Sequence, residues 1–201
     1  MPVGGEDYRI LHPEAAEALI DEADFERDER LPYWADLWPS AIALAGHLAA
    51  TGVQGVRAIE LGCGIGLPSV VALRHGAEVL ATDHYRAALD FAAYNARINT
   101  GRELATSLLD WHSPRLCGIG RFGLVMAADV LYERRHVEAL ARLVPRLLEP
   151  GGEAVIADPG REGGATFLAV MERVGFRVRS VRRGVRQGGR EVGILVHRIS
   201  V

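Results

Sequence analysis

The stretch that most constrains this chain is Ile59–Gly66, IELGCGIG, followed by an acid at Asp83, 17 positions beyond the last glycine. Val56 to Leu61 is a short apolar run bounded by Gly55 and Gly62, which suits a buried central strand. Leu67 to His75 reads as the helix that follows, with Pro68 in its first turn and Gly76 as its stop. A strand that breaks into a glycine loop and then a helix is how a parallel α/β sheet builds a nucleotide pocket.

The spacing within the loop narrows the ligand. A dinucleotide fingerprint places its third glycine at the sixth position, where a helix N-terminus faces a pyrophosphate. Here the sixth position is Leu67, and the glycines fall at Gly62, Gly64 and Gly66. Glu60 precedes them; its carboxylate repels a pyrophosphate but attracts the ammonium and sulfonium charges of S-adenosylmethionine. Asp83, at the end of the second strand, is placed to accept hydrogen bonds from both ribose hydroxyls. The cofactor set expected on these grounds is Trp38, Glu60, Gly62, Cys63, Gly64, Gly66, Asp83, His84, Asp110, Trp111 and Ala128, with S-adenosylhomocysteine as product.

The rest of the chain supplies the sheet. Strands are expected at Glu78–Thr82, Leu104–Leu109, Phe122–Ala128 and Glu153–Ala157. Helices are expected at Pro39–Ala50, Arg86–Asn99, Arg135–Leu148 (interrupted by Pro145) and Ala165–Val174, with Pro150, Gly151 and Gly152 as a stop. Phe176–Arg183 and Glu191–Ile199 have no helix between them and should pair antiparallel through a turn near Gly188 and Gly189. The expected fold is α/β: a Rossmann-like seven-stranded sheet, mostly parallel, with an antiparallel C-terminal hairpin strand and helices on both faces. Residues 1–30 read as an N-terminal extension and 31–201 as a single methyltransferase domain. Within the extension, Pro13 and the following EAAEALIDEA suit a short helix, and DFERDER a solvated loop.

Two of the three tryptophans and a tyrosine crowd into LPYWADLWPS, just before the first long helix. Tyr33, Trp34 and Trp38 either anchor the N-terminal segment in the core or form an aromatic wall beside the cofactor. Asp110 and Trp111 follow the third strand and can meet an adenine, the acid toward its exocyclic amine and the indole against its face.

Composition excludes other classes. At 201 residues and 49% hydrophobic, the chain suits one globular domain. No apolar run approaches the roughly 20 residues that span a bilayer, and the first ten residues carry no apolar signal core, so a cytoplasmic protein without membrane contact is expected. Cys63 and Cys117 form no CxxC pair and the histidines show no HxH or HExxH spacing, so no metal is expected. The sequence holds no lysine at all; every basic Lys/Arg position is arginine.

With these residues in view, ELGCGIG, Asp83, LDW and above all AADVLY resemble the family 16 group of seven-strand methyltransferases, over roughly residues 31 to 160. The D-x-x-Y motif at Asp129–Tyr132 is the most specific piece. ADPGR at Ala157–Arg161 is similar to the strand-five end of the electron-transfer-flavoprotein lysine methyltransferase branch. The resemblance implies S-adenosylmethionine-dependent N-methylation of lysine side chains on a protein partner, with Asp129 and Tyr132 catalytic. DVLY stands where methylases of flipped bases show D/N-P-P-Y/F, and Asp158 is followed by Pro159 where metal-assisted catechol-type enzymes show Asp-Asn.

Two other readings stay open. One is a small-molecule N- or O-methyltransferase with the same cofactor site. The other is a nucleic-acid-binding module or nucleic-acid methyltransferase using the arginines of the C-terminal hairpin, disfavoured by a sequence pI near 6.2. Oligomeric state is not readable.

Overall fold

The computed structural model describes residues 1–14 and 32–201. Beyond Glu14, the helix and solvated loop expected before Tyr33 lie outside the described residues. The chain opens with a small antiparallel hairpin, β1 (Pro2–Val3) and β2 (Glu6–Asp7). Sequence reading did not anticipate it, because two-residue strands carry no periodicity. Val3 and Tyr8 bury against α1 (Pro39–Thr51) and its neighbours.

The sheet is built from β3 (Arg57–Leu61), β4 (Glu78–Asp83), β5 (Ala105–Leu108), β6 (Phe122–Ala128), β7 (Leu148–Asp158), β8 (Arg177–Gln187) and β9 (Arg190–Ser200). Their spatial order is β5-β4-β3-β6-β7-β9-β8. The first five in that order run parallel, and β9 inserts antiparallel between β7 and β8. This is the seven-stranded, mostly parallel architecture expected.

Helices α2 (Leu67–Arg74), α3 (Arg86–Thr100), α4 (Arg134–Leu147) and α5 (Glu162–Arg173) complete the layers. One core lies under α1, α2 and α3 and includes Leu44, Val70, Leu89 and Met126. The other lies under α4 and α5 and includes Ile59, Val125, Leu140 and Phe167. Alternate residues of β3 and β6 enter opposite cores, which is why β6 carries no polar side chain and β3 is apolar but for Arg57 at its start and the buried Glu60.

Several boundaries differ from the sequence reading: α5 begins at Glu162 rather than Ala165 and β8 runs on to Gln187 rather than Arg183. Pro145 does not interrupt α4, which continues to Leu147; near a helix end, a proline forfeits one backbone hydrogen bond without stopping the helix. Pro150-Gly151-Gly152 does not separate helix from strand either. β7 begins at Leu148, opposite Phe122, and the register shifts so that Glu153 next faces Leu124. The glycines permit this bulge: a side chain at Gly152 would meet the carbonyl oxygens of Phe122, Glu149 and Gly123 within 3.1 Å.

Candidate active site

The strand order reverses between β3 and β6, and helices leave to opposite faces there. Open α/β sheets bind ligands at that point, outside the carboxyl ends of the strands. A cavity of about 570 Å³ opens there, within the usual size range for small-molecule sites. All of the sequence-predicted site residues line it except Gly66.

Gly66 acts from behind. It is the N-cap of α2 with φ of 85°, and a methyl group there would lie 2.6 Å from Ala92 Cβ on α3. The missing side chain lets the loop approach α3 closely. Gly64, with φ of 51°, is crossed by the entry segment: a methyl group there would lie 2.9 Å from the carbonyl oxygen of Trp34. Tyr33–Ala35 is a 3-10 turn laid over the glycine loop.

Both loop carboxylates are buried and occupied. Asp83 accepts the Gly64 N–H on one oxygen (2.9 Å) and the Tyr85 N–H on the other (3.0 Å). Burial raises its pKa, and these backbone donors pull the other way. Glu60 takes both the backbone N–H of Ser69 (2.9 Å) and the Ser69 hydroxyl on one oxygen, tying β3 to the first turn of α2. At 1% exposure it is nearly solvent-free, and burial pushes its pKa up to about 8.

These carboxylates test the cofactor on structural grounds. The Gly64 N–H that a pyrophosphate would need is already donated to Asp83, and two acids sit beside the loop. A cationic ligand fits that donor set and a pyrophosphate does not.

Asp129, immediately after β6, is in an unusual backbone state. Among the described residues it is the only non-glycine with positive φ, 56°. Aspartate tolerates this left-handed region better than most residues, and strained positions cluster at functional sites. Its side chain is 8% exposed. One carboxylate oxygen accepts the Ser40 hydroxyl from α1 at 3.1 Å. The other accepts Nε and Nη2 of Arg161, from the turn after β7, at 3.1 and 3.0 Å. Asp158 shapes that turn by accepting the N–H groups of Gly160 (2.7 Å) and Arg161 (2.8 Å).

Aromatic rings surround the mouth. Tyr132 stands edge-on to Tyr33 (5.5 Å between centroids) and to His136 (5.1 Å), and Tyr33 stands edge-on to Trp38 (6.1 Å). Trp38 donates its indole N–H to the Tyr33 carbonyl at 2.8 Å, which fixes the rim from within. Burial and nearby carboxylates and phenols raise the Tyr132 phenol to about 12, so it stays neutral. Trp111 packs over Gly62 and edge-on to His136, and Asp110 accepts the His112 N–H in a turn. His84 and Tyr85 flank Asp83 edge-on to each other at 5.3 Å.

Sequence reading missed Ser40, Arg161 and His136 as site residues. Arg161 lay in the quoted ADPGR, but nothing in linear spacing pairs it with Asp129. The described residues contain no group of three or more His, Cys, Asp or Glu able to hold a metal ion, and no helix long and apolar enough to cross a membrane.

Comparison with known proteins is consistent with this geometry. The chain is 32% identical over 136 residues to the electron transfer flavoprotein beta subunit lysine methyltransferase of Xenopus laevis, across 65% of this chain and 53% of that protein. It is 33% identical over 156 residues to the protein N-lysine methyltransferase METTL21A of Danio rerio, across 73% of this chain and 70% of that protein. It therefore spans about half the length of the first of these relatives. Among solved structures, the magnesium protoporphyrin IX methyltransferase of Synechocystis PCC 6803 with bound SAM superimposes with a TM-score of 0.64 at 17% identity, covering 88% of this chain and 83% of that one. At that identity the likeness is one of fold. The family model described as "Lysine methyltransferase" matches residues 24–174, three-quarters of the chain, so the chain belongs to the lysine methyltransferase family.

Proposed function

We propose that this chain is an S-adenosylmethionine-dependent methyltransferase that N-methylates lysine side chains of a protein substrate, with residues 31–201 as its catalytic domain. The observation that carries the reading is Asp129: a carboxylate held in left-handed backbone at the end of β6, facing an aromatic-rimmed cavity whose floor carries two buried acids. Family membership and the lysine methyltransferase relatives support the target class.

S-adenosylmethionine, when bound, supplies a methyl group on a sulfonium, a strong leaving group. The residues that would hold it are Glu60 toward its cationic end, Asp83 toward its ribose, and Asp110 with Trp111 toward its base. The protein's part in an in-line displacement is to align the nucleophile and exclude water. Asp129 accepts an N–H of the incoming amine, and Tyr33, Trp38 and Tyr132 wall the cation it becomes. Arg161 already holds one Asp129 oxygen, so the amine shares or displaces that contact.

The test is incubation of the pure protein with methyl-labelled S-adenosylmethionine and a lysate split into protein, nucleic-acid and small-molecule fractions. Methyl-lysine in hydrolysed protein is the expected product. Label confined to small molecules overturns the reading.

A further inference from the structure

The hairpin of β8 and β9 outruns the sheet that it completes. β9 pairs with β7 from Ser200 opposite Glu153 to Leu195 opposite Asp158, the last residue of β7. Residues 190–194 of β9 and 183–187 of β8 therefore continue past the carboxyl edge of the parallel strands as a two-stranded arm. That is the edge on which the cavity opens.

The arm's seating gives it a defined orientation. Val185 and Ile194 bury in the core shared with α1. Gln187 at the tip donates its side-chain amide to the carbonyl of Leu37, a cavity-lining residue, at 2.7 Å. On the other face lie Arg182, Arg186, Glu191 and Leu195. Leu195 reaches to within 3.9 Å of where a side chain at Gly160 would begin, beside cavity-lining Arg161. Gly184 and Gly193 sit opposite each other on this face, with Arg182 lying across Gly193 and Glu191 across Gly184, so the surface is low and flat.

Charge on the arm opposes that of the whole chain. The formal net charge is −3, yet the arm holds Arg183, Arg186 and Arg190 against the single acid Glu191, with Arg182 just before it. Arg182, Arg183, Arg186 and Arg190 are all exposed; Glu191, across from Arg186, is the acid on the outer face. β8 is also the edge strand of the sheet, so its outward N–H and C=O groups are available to an added strand.

We propose that this arm is a substrate-docking surface for an acidic, extended segment of the protein that carries the target amine. The proposal rests on the methyltransferase reading above and adds where the substrate is held. Arginine guanidinium groups pair bidentately with carboxylates, and the edge of β8 supplies backbone hydrogen bonds to an extended chain. Contact between the tip and Leu37 sets the docked segment beside the cavity mouth. A nucleic acid is the less favoured occupant, because residues 183–194 carry no aromatic ring on which a base can stack.

The probe is a short labelled polyglutamate peptide with one central lysine, compared with a polyserine peptide of equal length and with a single-stranded oligonucleotide. Binding is measured by fluorescence anisotropy on the wild type and on R182E/R186E, the two outer-face arginines. The expected result is salt-sensitive binding of the acidic peptide to the wild type, weakened about tenfold or more in the variant. Equal binding of the serine peptide, tighter binding of the oligonucleotide, or undiminished binding by the variant overturns the proposal. Calorimetric titration of S-adenosylmethionine into both proteins separates the two readings. Loss of cofactor binding in the wild type sinks the methyltransferase reading, whereas intact cofactor binding with no preference for the acidic peptide sinks only the docking arm.

Discussion

Arg161 places two of its nitrogens on a single oxygen of Asp129, at 3.1 and 3.0 Å, across 32 residues of sequence. The other oxygen of the same carboxylate takes the Ser40 hydroxyl, so three segments of chain meet on one side chain. Because φ at Asp129 is 56°, alanine there adds backbone strain to the loss of the carboxylate, whereas asparagine tolerates the conformation. Asp129→Asn is therefore expected to lower turnover by about a hundredfold. Its melting temperature should stay close to wild type, since Arg161 is 42% exposed and such pairs contribute at most about 1 kcal/mol. Wild-type turnover in the variant removes Asp129 from catalysis.

Asp83 has two tasks that one variant can separate. Asp83→Ala removes acceptors for Gly64 and Tyr85, which should cost about 1 to 3 kcal/mol of stability in thermal or denaturant unfolding. Losing the ribose contacts should also weaken S-adenosylmethionine binding by about tenfold or more. Unchanged calorimetric affinity would refute the ribose role, even if the protein melts earlier.

Glu60 predicts a proton-linked cofactor affinity. Its pKa is raised from 4.5 to about 8 by burial, so the folded protein holds a proton there that the unfolded chain has lost. Stability should therefore be greatest at the acid end and decline as pH rises from about 4.5 to about 8, with raised Asp83 and Asp158 adding in the same direction. A cationic ligand favours the ionised form. Binding at pH 7 should thus release a proton, visible as a heat that varies with the ionisation enthalpy of the buffer. Glu60→Gln should abolish that release; a buffer-independent heat in the wild type contradicts the assignment.

Gly66→Ala should destabilise without touching the cavity wall. The new methyl would lie 2.6 Å from Ala92 Cβ, and φ of 85° penalises any L side chain. Strain and overpacking together predict a loss of about 2 to 5 kcal/mol in denaturant unfolding. An Ala92→Gly background should recover only part of the packing loss, because the Ala92 Cα would still lie 2.9 Å from the new methyl; full recovery would mean that neither the backbone contact nor the φ imposes a cost.

Legibility in the sequence followed the range of the interaction. β6 was predicted with its observed ends, because seven apolar residues buried on both faces stand out between an arginine and an aspartate. The hairpin was also legible, since two β-rich runs flank a Gly-Gly pair that can take positive φ at both positions. The irregular start of β7 was not, because Pro-Gly-Gly ordinarily signals a turn and only pairing with β6 keeps it in the sheet. The site showed the same division. Residues in or just after the strand ends could be named from spacing, since parallel strands deliver their carboxyl ends to one place. Arg161 and Ser40 could not, because their meeting at Asp129 depends on where α1 and the turn after β7 settle.

The hydrogen bond from Gln187 to Leu37 joins residues 150 apart in the chain, and that separation has a consequence for biosynthesis. During synthesis the entry segment and glycine loop emerge early, but the contact that fastens the rim waits until the hairpin tip has been made. Until β9 follows, the edge of β7 that it will cover stays unpaired and open to wrong partners. Asp129, Tyr132 and Arg161 are thus all made before the hairpin tip that ties down the rim at Leu37, so the rim contact is among the last to form.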